Sequence, residues 1–143
     1  MGKSLYKAVA TATHGGRDGG SSRTSDGRLD VALSIPPELG GNADDGTNPE
    51  QLFAAGYAAC FTSALNRVGQ LAGKSTEGSS TTAEVDLVRG QGRSRFALEV
   101  TLRVKLPELE PGEAMELVEQ AHEVCPYSNA TRGNVPVELV VES

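Results

Sequence analysis

One helix limits what this chain can fold into more than any other feature of its sequence. Asn48 is a good N-cap, Pro49 takes the first helical position, and Gln51 completes the spacing of a capping box. Gly73 predicts the end of the helix. Apolar residues recur at three- and four-residue steps: Phe53, Tyr57, Cys60, Phe61, Ala64, Leu65, Val68 and Leu71. Small residues fill much of the rest: Ala54, Ala55, Gly56, Ala58 and Ala59. A helix that is apolar or small nearly all round must be buried on most sides, against a sheet, another helix or a partner subunit.

Alternating apolar residues predict strands on both sides of this helix. The predicted strands are residues 5–13, 28–35, 83–87, 96–106 and 135–141. In 28–35 the apolar face consists of Leu29, Val31, Leu33 and Ile35. Gly90-Gln91-Gly92 predicts a hairpin turn between the third and fourth strands, and Arg95 is expected on the polar face of the fourth.

A second, amphipathic helix begins at Pro111 and is closed by Pro126, because the residue before a proline is pushed out of the helical region. Its apolar residues are Ala114, Leu117, Val118, Ala121 and Cys125, so Cys125 is expected at the helix end. The predicted order ββ-α-ββ-α-β is of the α+β class, with antiparallel hairpins and a half-exposed sheet. At 143 residues we expect a single domain, 1–143, with a core built mainly from aliphatic side chains, since Trp is absent.

Charge and the first residues restrict the function classes. Nineteen acidic against thirteen basic side chains give a net charge of -6, which argues against nucleic-acid binding. The start, MGKSLYKAVA, has no apolar signal-peptide segment, so we expect no membrane insertion and a cytoplasmic protein whose thiols stay reduced.

Two cysteines, Cys60 and Cys125, lie too far apart in sequence for a CxxC redox pair. They could be two unrelated buried thiols that act as small hydrophobes. The apolar neighbours of Cys60 would raise the pKa of its thiol, so a reactive Cys60 needs a cation from elsewhere in the chain.

Arg17, flanked by glycines in a pliable loop, is the best candidate for this cation. Glu50, in the first turn of the long helix, could orient Arg17 through a bidentate pair. The simpler alternatives stay open: a solvated loop arginine, and an acid that favours the helix dipole.

Other chemistries have weaker support. His122 and Cys125 form one close pair of metal-ligand type, and His14 and Cys60 could complete a zinc site, but structural zinc sites usually have close pairs on both sides. We therefore predict no metal and no cofactor. A Cys-His hydrolase would need a histidine at a spacing that nothing here indicates.

Three segments together resemble a known family. Residues 48–61, NPEQLFAAGYAACF, resemble the first cysteine motif of the organic hydroperoxide resistance (Ohr) proteins of the Ohr/OsmC family, and residues 124–134, VCPYSNATRGN, are similar to the second. Residues 10–19, ATATHGGRDG, resemble its arginine loop, with His14 as an extra residue. The resemblance runs from about Tyr6 to Val141.

The resemblance implies a bacterial thiol peroxidase of oxidative-stress defence that reduces organic hydroperoxides, including those of fatty acids. It implies an intertwined homodimer, Cys60 as peroxidatic cysteine, Cys125 as resolving cysteine, and Arg17 with Glu50 as the activating pair. It also implies a redox-active Cys60–Cys125 disulfide that is reopened by a dithiol, typically a lipoyl group on a partner protein.

The apolar neighbours of Cys60 are the expected substrate contacts, since an apolar pocket favours organic peroxides over hydrogen peroxide: Phe53, Tyr57 and Phe61. The alternative is a non-catalytic module, for apolar ligands or redox sensing, with two buried cysteines. If the helix is straight, Glu50 and Cys60 lie about 15 Å apart along its axis. We therefore expect a site at the subunit interface, with Arg17 and Glu50 of one subunit meeting Cys60 of the other.

Overall fold

The helix predicted from the capping signals is present in the computed structural model as α1, Pro49–Ala72. The structure describes residues 2–42, 45–90, 92 and 96–142. The chain divides into two compact units, residues 1–52 and residues 53–143, and α1 continues across the boundary between them. The organisation as a single domain stays a prediction.

Both ends of α1 follow from local chemistry. The Asn48 Oδ1 accepts the backbone N–H of Gln51 at 2.9 Å, which confirms the N-cap. The Gln51 Oε1 accepts a hydrogen bond from the Thr47 hydroxyl, instead of bonding back to the N-cap residue as in a capping box. At the other end Gly73 adopts φ 67°, and the Lys74 N–H bonds the Gly69 carbonyl at 2.9 Å. This is a Schellman ending, and it confirms Gly73 as the stop.

The first unit contains a three-stranded antiparallel sheet in the order β1-β2-β3. Its strands are β1 (Ala10–Thr13), β2 (Ser21–Thr24) and β3 (Asp30–Ala32). The prediction was wrong in two ways: the strands expected at 5–13 and 28–35 are much shorter, and β2 was not expected at all. Leu33, just after β3, makes an isolated parallel bridge to Thr47.

The second unit contains a sheet in the order β4-β5-β6. β4 (Ser80–Arg89) and β5 (Phe96–Lys105) form the expected antiparallel hairpin. Gln91 of the predicted turn, and Arg95, lie outside the described residues. β6 (Val137–Glu142) pairs parallel to β5, so this sheet is mixed and the expectation of an antiparallel sheet was wrong at this edge. The chain reaches β6 through a helical crossover, which returns it in the direction of β5.

This crossover consists of α2 (Pro111–Val124) and the six-residue α3 (Pro126–Thr131). Pro126 ends α2 as predicted and at the same time begins α3, which was not predicted. With β2 and α3 added, the order is βββ-α-ββ-αα-β, and the α+β class is confirmed. No helix among the described residues is both long and apolar enough to cross a bilayer.

The core of the second unit lies between α1, α2 and one face of β5. Its buried side chains are Tyr57, Phe61, Ala64, Leu65, Val68, Val100, Leu102, Val104, Leu106, Ala114, Leu117, Val118, Ala121 and Cys125. α1 is buried along one side only in this chain, since Ala55, Ala59 and Ser63 on another side are exposed. Burial of α1 on most sides therefore stays a prediction.

Candidate active site

The two cysteines, far apart in sequence, are neighbours in the second unit. Cys60 is half-buried on α1, and Cys125 is buried at the junction of α2 and α3. Pro126 holds Cys125 in an extended conformation with φ -65° and ψ 125°, which takes the residue out of the α2 spiral. The Cys125 thiol lies close enough to Cys60 to raise the pKa of the Cys60 thiol. Both thiols are free, and they form what we call the thiol pair.

Burial and two neighbouring groups shift the pKa of the Cys60 thiol, and burial has the largest effect. Burial raises the pKa of Cys60, as does the neighbouring Cys125 thiol, while a hydrogen bond from the backbone N–H of Tyr127 lowers it. The net pKa lies above the ordinary value of a thiol. The surroundings described here therefore favour the protonated, unreactive form of Cys60.

Arg17 and Glu50 meet in the first unit as a bidentate ion pair. The Arg17 Nη1 and Nη2 atoms donate to Glu50 Oε2 and Oε1 at 2.8 and 2.6 Å. Hydrogen bonding to Glu50 raises the pKa of Arg17, and hydrogen bonding to Arg17 lowers the pKa of Glu50. The Glu50 side chain is 16% exposed and that of Arg17 34%, so part of the guanidinium stays open. We call these residues the Arg17–Glu50 pair.

Backbone contacts explain how Arg17 reaches Glu50. Arg17 is the middle residue of a 3-10 turn, Gly16–Asp18, that is closed by the Gly20 N–H on the Gly16 carbonyl at 2.8 Å. A side chain at Gly20 would place its Cβ 1.9 Å from the Thr13 carbonyl oxygen, so only glycine fits there. The Gly20 carbonyl accepts the Leu33 N–H, and Leu33 bridges to Thr47 just before α1. The expected pliable loop is thus a folded turn.

Three aromatic rings lie near the thiol pair. Phe53 packs edge-on against Tyr57, with ring centroids 6.0 Å apart, and against Tyr127 at 6.2 Å. Tyr57 and Phe61 have no exposed surface, so within the predicted substrate set only Phe53 offers surface to a ligand in this chain. Tyr127 is 38% exposed and was not singled out from the sequence.

Sequence reasoning also missed a group of hydrogen-bonded polar side chains beneath Cys125, which we call the hydroxyl cluster: Tyr57, Ser128, Thr131 and His122. The Tyr57 hydroxyl lies 2.8 Å from Ser128 Oγ and 3.2 Å from Thr131 Oγ1. His122, considered above as a metal ligand, places Nδ1 2.8 Å from Ser128 Oγ. Within the described part of the chain, no three His, Cys, Asp or Glu residues are grouped so that they could hold a metal ion.

The structure thus brings the predicted site residues together as two pairs, the Arg17–Glu50 pair in the first unit and the thiol pair in the second. His14 adopts a left-handed conformation, φ 56°, at the start of the arginine turn. The catalytic roles of all four residues stay predictions at this point.

Comparisons with known proteins identify the family. Residues 41–140 match the model of the OsmC-like protein family. An organic hydroperoxide resistance protein of Xanthomonas axonopodis pv. citri is 50% identical over 97% of this chain and 96% of its own length.

Two solved structures are similar over nearly the whole chain. An organic hydroperoxide resistance protein OsmC of Legionella pneumophila has a TM-score of 0.91 and 50% identity, covering 99% of this chain and 100% of its own. A putative organic hydroperoxide resistance protein of Vibrio cholerae, with captopril bound in one of its active sites, has a TM-score of 0.87 and 43% identity, covering 97% and 93%. The chain therefore belongs to the OsmC-like family, and within it to the organic hydroperoxide resistance proteins.

Proposed function

We propose that this protein is a cysteine-based peroxidase that reduces organic hydroperoxides to alcohols in oxidative-stress defence. The observation that carries the proposal is the thiol pair, because two free cysteines from distant parts of the chain lie close enough for one to shift the pKa of the other. The names of its relatives in Xanthomonas and Legionella supply the substrate class.

The reaction balances with the residues of the thiol pair. The Cys60 thiolate attacks the terminal peroxide oxygen, the O–O bond breaks, and the alkoxide takes up a proton and leaves as alcohol. Cys60 becomes a sulfenic acid. The Cys125 thiol then attacks this sulfur, which forms the Cys60–Cys125 disulfide and releases water. Cys125 lies close to Cys60 for this step, because α2 ends before Pro126 and places Cys125 next to Cys60.

An aromatic surface beside Cys60 favours an organic substrate over hydrogen peroxide. Phe53 and the partly exposed Tyr127 present apolar area that an alkyl chain can cover. Hydrogen peroxide gains nothing from such contacts. We assign substrate contact to Phe53 and Tyr127. Tyr57 supports both rings from the core, where Phe61 is also buried.

Activation of Cys60 requires a cation, since burial raises the pKa of its thiol. The guanidinium of Arg17 fits this role, because it stays charged at any physiological pH and keeps a donor surface that Glu50 does not cover. Glu50 fixes its orientation through the bidentate pair.

Helix spacing is the argument for a homodimer with shared sites. α1 has no break between Glu50 and Cys60, which separates these positions by about 15 Å along the axis. We therefore propose that the Arg17–Glu50 pair of one subunit activates Cys60 of the other. The open side of α1, with Ala55, Ala59 and Ser63, is small and uncharged and suits close packing against a second copy.

Regeneration requires a dithiol that opens the disulfide by exchange. Cys60 is partly exposed while Cys125 is fully buried, so the reductant attacks the Cys60 sulfur and Cys125 leaves. A lipoyl group on a partner protein has the chemistry required, and the bacterial cytoplasm is the reducing compartment that maintains it.

Thiol titration tests this function directly. The reduced protein is treated with one equivalent of an alkyl hydroperoxide per chain, and free thiols are counted before and after. Two thiols lost per chain, with one alcohol formed, are expected. In Cys60→Ser no thiol should be lost, which shows that Cys125 alone does not react. An unchanged thiol count in the wild type would instead support a non-catalytic apolar-ligand module.

A further inference from the structure

We propose that the Tyr57 hydroxyl is a positioning group for the thiol pair, because through Ser128 and Thr131 it fixes α3 and thereby holds Cys125 beside Cys60. The role differs from the substrate contact that the sequence suggested for Tyr57. Its consequence for turnover rests on the proposed function, but the geometry that it describes does not.

The first part of the argument is the set of contacts that Tyr57 makes. Tyr57 is fully buried on α1, one turn before Phe61, and its phenol oxygen reaches both Ser128 Oγ and Thr131 Oγ1. Ser128 and Thr131 are the buried residues of α3. The Tyr57 hydroxyl therefore contacts both buried side chains of α3.

The second part is the weakness of α3 without such contacts. A helix of six residues does not hold its place by its own backbone bonds, since so short a helix is marginal in water. Cys125 directly precedes this helix, and the Cys125 carbonyl accepts the Asn129 N–H at 2.9 Å. A displacement of α3 would therefore also move Cys125 and the Tyr127 N–H.

Proton directions in the hydroxyl cluster are mutually consistent. Thr131 Oγ1 donates to the Ser128 carbonyl at 3.1 Å, which leaves it free to accept from Tyr57. Ser128 Oγ can bond Tyr57 and His122 Nδ1 at once, one as donor and one as acceptor. His122 belongs to α2, and its carbonyl is held by Arg132 Nη2 at 2.6 Å. The cluster thus connects α1, α2 and α3 around the cysteine at their junction.

A close contact between the Tyr127 ring and α1 also holds α3 in place. The Tyr127 ring covers Gly56, so closely that a Cβ on Gly56 would lie 2.6 Å from the Tyr127 hydroxyl oxygen. Gly56 precedes Cys60 by one helical turn and shares its face of α1. Two neighbouring residues of α3 therefore contact two neighbouring residues of α1. The Tyr127 ring packs on Gly56, and the Ser128 hydroxyl is hydrogen-bonded to the Tyr57 hydroxyl.

The test is the redox equilibrium of the thiol pair in glutathione buffers. There oxidised glutathione forms the Cys60–Cys125 disulfide and releases two reduced glutathiones, with no peroxide present. Tyr57→Phe keeps the buried ring and removes only the hydroxyl. Ser128→Ala removes the partner. Thr24→Val is the matched control, because Thr24 also bonds through its hydroxyl, to Asp26 in the first unit.

We expect the equilibrium constant for disulfide formation to fall about tenfold in Tyr57→Phe and in Ser128→Ala, equal to a shift of about 30 mV. Thr24→Val should keep the wild-type constant even if its thermal stability falls. A wild-type or higher constant in folded Tyr57→Phe would overturn the inference. Should Tyr57→Phe not fold, Ser128→Ala and Thr131→Val decide in the same way. A wild type that forms the disulfide with glutathione but consumes no peroxide would refute the proposed function and leave this inference standing.

Discussion

Cys60 is half-buried and Cys125 is buried, so we expect Cys60 to react with peroxide even when Cys125 has been replaced. In Cys125→Ser, attack on peroxide needs only the half-buried Cys60, so one equivalent of alcohol should still form. The sulfenic acid then has no thiol to condense with and should proceed to sulfinic acid under excess peroxide. Intact-mass spectrometry distinguishes the products, as gains of one and then two oxygen atoms. A Cys60 that stays unmodified would count against its role as the attacking thiol.

Glu50 gives a prediction for stability against pH. Pairing with Arg17 lowers the pKa of Glu50, so folding gains from ionised Glu50 above its unfolded pKa of about 4.3. As the pH falls through the lower, folded pKa, Glu50 takes up a proton and the gain disappears. Wild type should therefore be more stable than Glu50→Gln at neutral pH, and the difference should shrink in acid. Thermal unfolding of both proteins across this range measures it. A difference that is independent of pH would show that the pair does not stabilise the fold through its charge.

Among the elements, α1 has an ending that a single substitution can test. Gly73 holds φ 67°, a conformation that costs an L-residue about 1 kcal/mol or more. Gly73→Ala should therefore lower the melting temperature by roughly 3 °C. Gly112→Ala is the matched control, because Gly112 lies in the first turn of α2, where a Cβ meets nothing within 4 Å and the backbone is not left-handed. Equal melting temperatures for the two variants would contradict the assigned role of Gly73.

The elements that the sequence predicted well are those with local signals. Asn48, Pro49 and Gly73 act within one turn of the helix end that they determine, so the bounds of α1 could be read directly. β2, with the sequence SSRT, has no apolar alternation, and it is a strand because it is paired on both edges. The direction of β6 depends on a crossover that no local pattern describes. Pro126 indicates the end of α2, but proline is equally favourable in the first turn of a helix, and here it also begins α3.

The residues of the site also divide into those that the sequence indicates and those that it does not. The pairing of Arg17 with Glu50 was one of the alternatives that the sequence left open, since Arg17 lies in a glycine-flanked loop and Glu50 in the first turn of α1, and the structure shows this pair. The hydroxyl cluster could not, since Ser128 and Thr131 look like ordinary polar residues until α3 turns them toward Tyr57. The Tyr127 backbone lowers the pKa of Cys60 without any side chain of its own taking part, so this influence leaves no trace in the sequence.

At the scale of the whole molecule, the shared site predicts complementation between two inactive chains. Cys60→Ser and Arg17→Ala are co-refolded. A mixed dimer then contains one complete site, so the mixture should recover about a quarter of wild-type activity under random pairing. Peroxide consumption measures the recovery. The control is a mixture of Cys60→Ser with Cys125→Ser, which completes no thiol pair in either subunit and should form no disulfide. If the first mixture also stays inactive, Arg17 and Cys60 act within one chain.

The parallel pairing of β6 with β5 also determines the order in which the second unit can form. β4 and β5 are joined directly, so their ladder closes a short loop and should nucleate early. Val137 pairs with Val100 only after α2 and α3 have carried the chain back, which makes this edge of the sheet a late event in refolding. Pulse-labelling hydrogen exchange should therefore protect the amides of Glu84 and Thr101, which face each other in the β4–β5 ladder, before those of Leu102 and Val140, which lie in the β5–β6 ladder. A ribosome must release nearly the entire chain before the sheet beside the cysteines is complete.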